Sequence, residues 1–166
     1  METIIRKSNV FLILILVGFI SCNSDNTIFD TYKTLDNGIW KADDPIEFSF
    51  LITDTISRNN VFINLRNNNA YSYSNLYVIA NLNFPDGRKI VDTLQYRMTD
   101  NEGNFLGSGF SEIKENKLFY KEQKTFPMSG EYSVSIWQAM RKNGEIDQIK
   151  ELKGISDIGL KIEKIE

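Results

Sequence analysis

A chain of 166 residues with 19 basic and 22 acidic side chains has a formal net charge of −3, which offers no electrostatic footprint for a nucleic-acid backbone. It has no histidine and one cysteine, so Ser-His-Asp and Cys-His catalysis lack their imidazole, and a zinc site of the usual Cys and His kind lacks its ligands. Catalysis, if any, would rest on carboxylates or on serine with lysine.

At the start of the chain, Arg6 and Lys7 precede an uncharged apolar run over residues 10–20, the charged start and apolar middle of a secretion signal. The run is about half of the roughly 20 residues that a helix needs to cross hydrocarbon, so no permanent span is expected. Phe19-Ile20-Ser21-Cys22 then sets a small residue directly before the cysteine, as in the lipobox of a bacterial lipoprotein, although such signals usually have Leu or Val in place of Phe19 and a smaller residue than Ile20. The alternative is a free buried thiol. A lone cysteine cannot form an intramolecular disulfide in an oxidising compartment. A diacylglycerol thioether, with an acyl chain on the freed amine, would turn Cys22 into an anchor of more than one chain, and two chains hold stably where one holds marginally.

The expected organisation is a signal peptide over 1–21, a lipidated tether over 22–28 and a single domain over 29–166. Removing residues 1–21 from 166 leaves 145, which suits one domain. It also removes Glu2, Arg6 and Lys7, which takes the net charge from −3 to −4.

Beyond a polar stretch at 23–25, Phe29 and Tyr32 mark where the fold begins. From there the pattern has period two, the signature of half-buried strands. Ile46, Phe48, Phe50 and Ile52 share one face of a strand over 45–54, and Val61, Ile63 and Leu65 repeat the pattern. Leu76, Val78, Ala80, Leu82 and Phe84 form the longest alternation, Pro85-Asp86-Gly87 closes it with turn chemistry, and 88–98 is the returning strand. A turn at 100–104 leads into 105–110, where Gly107 and Gly109 suggest a bulge or bend. Strands over 117–126 and 132–141 flank Pro127-Met128-Ser129-Gly130, with Tyr132, Val134 and Ile136 alternating against Ser133, Ser135 and Trp137. Segment 144–154 breaks the alternation: Ile146, Ile149 and Leu152 recur at threes and Gly154 follows as a cap would, predicting one short helix near the C-terminus. A last strand covers 158–162. The expected fold is all-β, an antiparallel β-sandwich of about eight strands with that helix, and a small barrel is the rival architecture.

Candidate contact residues come from two places. Tyr71, Tyr73 and Asn75 lie in the polar, aromatic stretch 66–75, which on an exposed loop would stack on sugar rings or dock a protein; equally, its Asn residues could form turns while its rings cover a sheet edge. Trp137 and Arg141 combine two frequent binding anchors, against a reading in which Trp137 packs on the core and Arg141 pairs with an acid. Asp43 with Asp44, or Asp54 with Asp92, would serve as the two carboxylates of a glycosidase only at the right separation, which a sequence does not give. No catalytic residue is assigned. Thr55 in Asp54-Thr55-Ile56 and Thr93 in Asp92-Thr93-Leu94 resemble the Asp-Ser/Thr-aliphatic acceptor of O-glycosylation in exported Bacteroidetes proteins, the simpler reading being polar strand residues.

Taken in order, a set of short motifs adds a likeness: Cys22; Trp40; Asn64-Leu65-Arg66 with Tyr71-Ser72-Tyr73-Ser74-Asn75-Leu76; Asp92-Thr93-Leu94; Gly103-Asn104-Phe105-Leu106-Gly107-Ser108-Gly109; Gln138-Ala139-Met140-Arg141; and Gly154-Ile155-Ser156-Asp157-Ile158-Gly159-Leu160. In order and spacing the chain resembles the gliding-motility lipoprotein GldH family of Bacteroidetes over nearly its whole length. The resemblance implies a non-enzymatic lipoprotein of the cell envelope, without cofactor, tied to surface gliding and the linked secretion machinery. Its partners would be other envelope proteins of that apparatus, and its role that of a scaffold or partner-binding component. A carbohydrate-binding envelope lipoprotein is the alternative. Of the family's residues, only the lipid role of Cys22 carries over. Asn23-Ser24-Asp25-Asn26 lacks the acidic cluster that marks many surface lipoproteins, which favours an outer-membrane anchor facing the periplasm.

Overall fold

The computed structural model describes residues 26–109 and 112–165; Cys22 and the signal segment lie outside them. Ten strands occur among the described residues: β1 (Thr27–Thr34), β2 (Ile39–Lys41), β3 (Ile46–Ile52), β4 (Arg58–Asn67), β5 (Asn75–Asn83), β6 (Lys89–Arg97), β7 (Lys114–Thr125), β8 (Gly130–Gln138), β9 (Glu151–Lys153) and β10 (Ile155–Lys164). They form two four-stranded antiparallel sheets, β1-β10-β4-β7 and β3-β8-β5-β6, and a small β2-β9 pair.

Burial of alternate side chains drives this arrangement. Ile46, Phe48, Phe50 and Ile52 of β3 all face inward, as do Leu76, Val78, Ala80 and Leu82 of β5 and Tyr132, Val134 and Ile136 of β8. The other sheet answers with Ile63 and Leu65 of β4 and Ile158, Leu160 and Ile162 of β10, all fully buried. Each such side chain contributes about 1.5–3 kcal/mol when removed from water. Aromatic rings bridge the two layers: Phe29 of β1 lies 5.6 Å from Phe50, and Phe50 lies 5.8 Å from Phe126. Along the other flank, the Tyr96 hydroxyl of β6 donates to the Phe119 carbonyl of β7 at 2.8 Å.

The central strands of the first sheet bury both faces. Opposite the core, the Tyr32 ring lies over Gly159, where a Cβ would stand 2.8 Å from the ring. Phe62 is covered by Phe119 at 4.6 Å and by the Lys117 ammonium at 4.1 Å.

Two expectations need correction. The strands number ten rather than eight, because β1 and the short β2-β9 pair carry no clean alternation. The helix expected over 144–154 is absent: residues 139–150 make an irregular excursion, Ile146 stands exposed near its tip, and Leu152 is buried in β9 opposite Trp40. The threefold spacing is accidental, since Glu145 and Gly144 turn the chain and the Ile149 amide bonds the Met140 carbonyl at 2.8 Å rather than a residue one helical turn back. Residues 105–109, where two glycines suggested a bulge or bend, form no strand and make only the isolated bridges Thr99–Phe105 and Ser108–Glu115.

The strand directions sort the connections to two ends. One end carries Asn26, the turns 53–57, 84–88 and 126–129, and Ile165; there the Lys164 amide bonds the Asn26 carbonyl at 2.7 Å. The opposite end carries β2-β9 and the longer segments 68–74, 98–109 and 139–150.

Candidate functional site

Trp137 precedes the last residue of β8, where alternation turns it away from the core onto the outer face of the β3-β8-β5-β6 sheet. It is half-buried and pairs in register with Ile79 of β5, while Asn81 pairs with Ser135 on one side and Val91 of β6 on the other. Ala42, Ile79, Asn81, Val91, Trp137 and Gln148 line a shallow, mainly apolar cleft of about 370 Å³, with Gln138 at its base. Val91, 62% exposed, forms its open rim.

The wall beside Trp137 is fixed by a buried amide. Gln138 donates from Nε2 to the Ile149 carbonyl and accepts the Met140 N–H at Oε1, 2.9 Å away, while Gln148 donates from Nε2 to the Gln138 carbonyl. The Ala42 amide bonds the Lys150 carbonyl at 2.9 Å. These bonds fold the 139–150 excursion over the sheet edge and give the cleft a fixed side. No formally charged side chain lines it, so it suits an uncharged apolar or aromatic group fringed by hydrogen-bonding atoms.

The other expected contact residues are dispersed. Tyr71 is buried, with its hydroxyl donating to the Asn75 carbonyl at 2.6 Å and its ring 5.8 Å from Tyr73 and 6.4 Å from Phe105. Burial pushes its ionisation well above the usual tyrosine range. It is a packing residue of the far end. Tyr73 and Asn75 are half-buried beside it. Arg141 is exposed and bridges to Gln148 through the backbone, next to the cleft wall. Trp137 therefore stands apart from the tyrosine loop and packs on the sheet's outer face rather than in the core.

The acidic pairs are not assembled either. Asp54 sits in the β3–β4 turn, where the Ser57 hydroxyl and amide, then the Ile56 amide and the Lys164 ammonium 2.9 Å away, hold its carboxylate well below the usual range. Asp92 lies on the inward side of β6, 2.9 Å from Lys121 of β7 and 3.2 Å from the Tyr120 hydroxyl. Burial and Asp92 raise the ionisation of Tyr120 far above the tyrosine range. Asp43 and Asp44 are exposed in the β2–β3 turn. Thr55 is half-buried in the turn beside Asp54, and Thr93 is exposed opposite Ile79.

Among the described residues no group of three or more His, Cys, Asp or Glu side chains converges as a metal site, and no helix is long and apolar enough to cross a membrane.

The family model described as "GldH lipoprotein" matches residues 27–162. The chain belongs to the GldH lipoprotein family. It is 44% identical over 156 residues to the "Gliding motility lipoprotein GldH homolog" of Christiangramia forsetii, covering 94% of this chain and 95% of that protein. It is 39% identical over 160 residues to the "Gliding motility lipoprotein GldH" of Flavobacterium johnsoniae, covering 96% and 98% respectively. Among solved structures it overlaps VP2 of the infectious bursal disease virus subviral particle at 14% identity and a TM-score of 0.38, covering 84% of this chain, and the T13 particle of that virus at 16% and 0.40, covering 86%. The chain spans about a third of those viral chains, 34% and 32%.

Proposed function

We propose that this family member is a gliding-motility lipoprotein, held in the cell envelope by lipid on Cys22, which acts without catalysis or cofactor as a partner-binding scaffold of the gliding and linked secretion apparatus. The names of the two relatives support the gliding role. The anchor reading rests on the Ser21-Cys22 lipobox; an outer-membrane anchor facing the periplasm is the side favoured by a tether, Asn23-Ser24-Asp25-Asn26, without an acidic cluster. The observation that carries the scaffold reading is the uncharged, Trp137-walled cleft on the outer face of a rigid sheet. Such a feature offers a pocket for an apolar anchor from a partner protein.

Mass spectrometry and fractionation of the native chain test the anchor: a chain cut before Cys22, heavier by its acyl chains and found with the membranes, is the expected result. A bare thiol at that position, on a chain that floats free after lysis, rejects it. Recovery of envelope proteins with the native chain, and their loss with Trp137→Ala, tests the scaffold. A second reading, carbohydrate binding, is favoured by the Trp137 ring beside the amides of Asn81 and Gln148. Clear glycan-array binding lost in Trp137→Ala, with no envelope protein recovered, would replace the scaffold by that reading.

A further inference from the structure

The last described residue on the anchor side, Asn26, is fixed at one end of the sandwich: its carbonyl accepts the Lys164 amide of β10 at 2.7 Å. Cys22 lies four residues earlier, so the covalent chain lets Asn26 stray at most about 14 Å from the lipidated sulfur, at roughly 3.3–3.6 Å per residue. β4 has 10 residues, and at about 3.3 Å per residue the two ends of the sheet are some 33 Å apart. The end carrying Asn26 is therefore the one that the tether keeps beside the bilayer.

That end holds an unusual turn. Between β3 and β4 the Asp54 carboxylate accepts the Ile56 amide at 2.9 Å, the Ser57 amide at 3.0 Å and the Ser57 hydroxyl at 2.6 Å, and the Lys164 ammonium stands 2.9 Å from it. Four contacts on one carboxylate brace a turn of a few residues, and what the turn presents is Ile56, 87% exposed. Leu51 and Ile28, both exposed, lie on the neighbouring ends of β3 and β1. Exposed apolar side chains are common singly. Here one is held out by a turn braced on four contacts, at the end where the chain leaves toward its anchor, and Leu51 and Ile28 are exposed on strands that end or begin there.

We propose that this end is a membrane-docking face, with Ile56 entering the headgroup layer of the bilayer that holds the lipid on Cys22. The proposal rests on the anchor reading above. It commits to lipid as occupant because the short tether brings lipid to this end whatever else is bound. A docked end fixes the domain upright and turns the far end, with segments 68–74 and 139–150, into the periplasmic space.

Ile146 provides the control, being equally exposed, at 87%, in the excursion at the far end. The full chain is made in its native host as Ile56→Cys or Ile146→Cys, so that the lipidated protein carries one free thiol, which takes a polarity-sensitive fluorophore. In vesicles of phosphatidylethanolamine and phosphatidylglycerol, the label at 56 should move to shorter wavelength and be quenched by spin-labelled lipid, and the label at 146 should behave as in water. A water-like signal at 56 on a chain whose mass shows the lipid overturns the docking face and leaves the anchor standing. Quenching at 146 shows the domain lying on another side and also overturns it. Shielding of 56 in native envelope but not in vesicles assigns the face to a protein and rejects lipid. An unmodified Cys22, seen by mass and by a second label, overturns the anchor itself.

Discussion

A Cβ on Gly154 would fall on the backbone nitrogen of Tyr71. The glycine also holds φ at +86°, donates its N–H to the Gly38 carbonyl and accepts the Asn68 N–H, both at 2.9 Å. Three segments of the far end therefore meet where no side chain fits. Gly154→Ala should destabilise the fold by roughly 2–4 kcal/mol, combining left-handed strain with the backbone contact. Urea unfolding checks this; a loss under about 0.5 kcal/mol, the level of an ordinary surface change, would contradict it.

Gln138 is fully buried with both ends of its amide bonded. Its replacement by Ala leaves the Met140 N–H and the Ile149 carbonyl unpaired, at about 1–3 kcal/mol for each unsatisfied buried group. Hydrogen exchange should then quicken through residues 139–150 while the β5 and β8 amides stay protected. Uniform loss of protection would show instead that the excursion is part of the cooperative core.

Between β6 and β7, Asp92 and Lys121 form a pair with side chains 24% and 23% exposed. Asp92→Ala leaves Lys121 and the Tyr120 hydroxyl without their acceptor and should cost about 1–2 kcal/mol. Restoring charge balance with Lys121→Met in the same chain should recover part of that loss. A double variant no better than the single one would mean that the packing of Asp92, not its charge, is what matters.

Two groups give opposite pH signatures. Asp54 is held below its ordinary pKa in the folded chain, so its stabilising effect is full above the unfolded carboxylate value of about 3.9 and fades as the pH falls through the lower folded one. The melting difference between the native chain and Asp54→Asn should stay constant from neutral pH to about 5 and shrink below about 4. Tyr32 is pushed up to about 12, first by burial and then by its hydrogen bond to Glu115. Its contribution is full below the unfolded tyrosine value of about 10 and is lost as the pH rises toward the folded one. Alkaline difference spectra should show Tyr32, Tyr71, Tyr96 and Tyr120 ionising late, and Tyr32→Phe should remove one member of that late group.

Much of the sandwich was legible in the sequence because burial has period two wherever one face meets the core: the alternation in β3, β5 and β8 translated directly into inward residues. It failed where other forces set the chain. β1 is an edge strand with little buried surface, and the path of 139–150 is set by the Gln138 amide, a contact that spacing does not encode. The cleft was half visible. Trp137 stood out by type, but its neighbours Ile79 and Val91 join it through strand register, which depends on pairing between segments far apart in the chain. Tyr71 shows the opposite case: its polar neighbours left both a contact loop and a cover over a sheet edge open, and its ring closes the far end of the core.

The pairing of the first strand with the last has a mechanical meaning. β1 runs antiparallel to β10 from Thr27 to Thr34, and the chain enters it from the anchor side. A pull between the lipid and a partner gripping the far end would run along β1, so its backbone bonds to β10 would be sheared together rather than unzipped one at a time. On the anchor and scaffold readings proposed above, the load meets the β1–β10 pairing in shear, the direction in which its bonds must yield together.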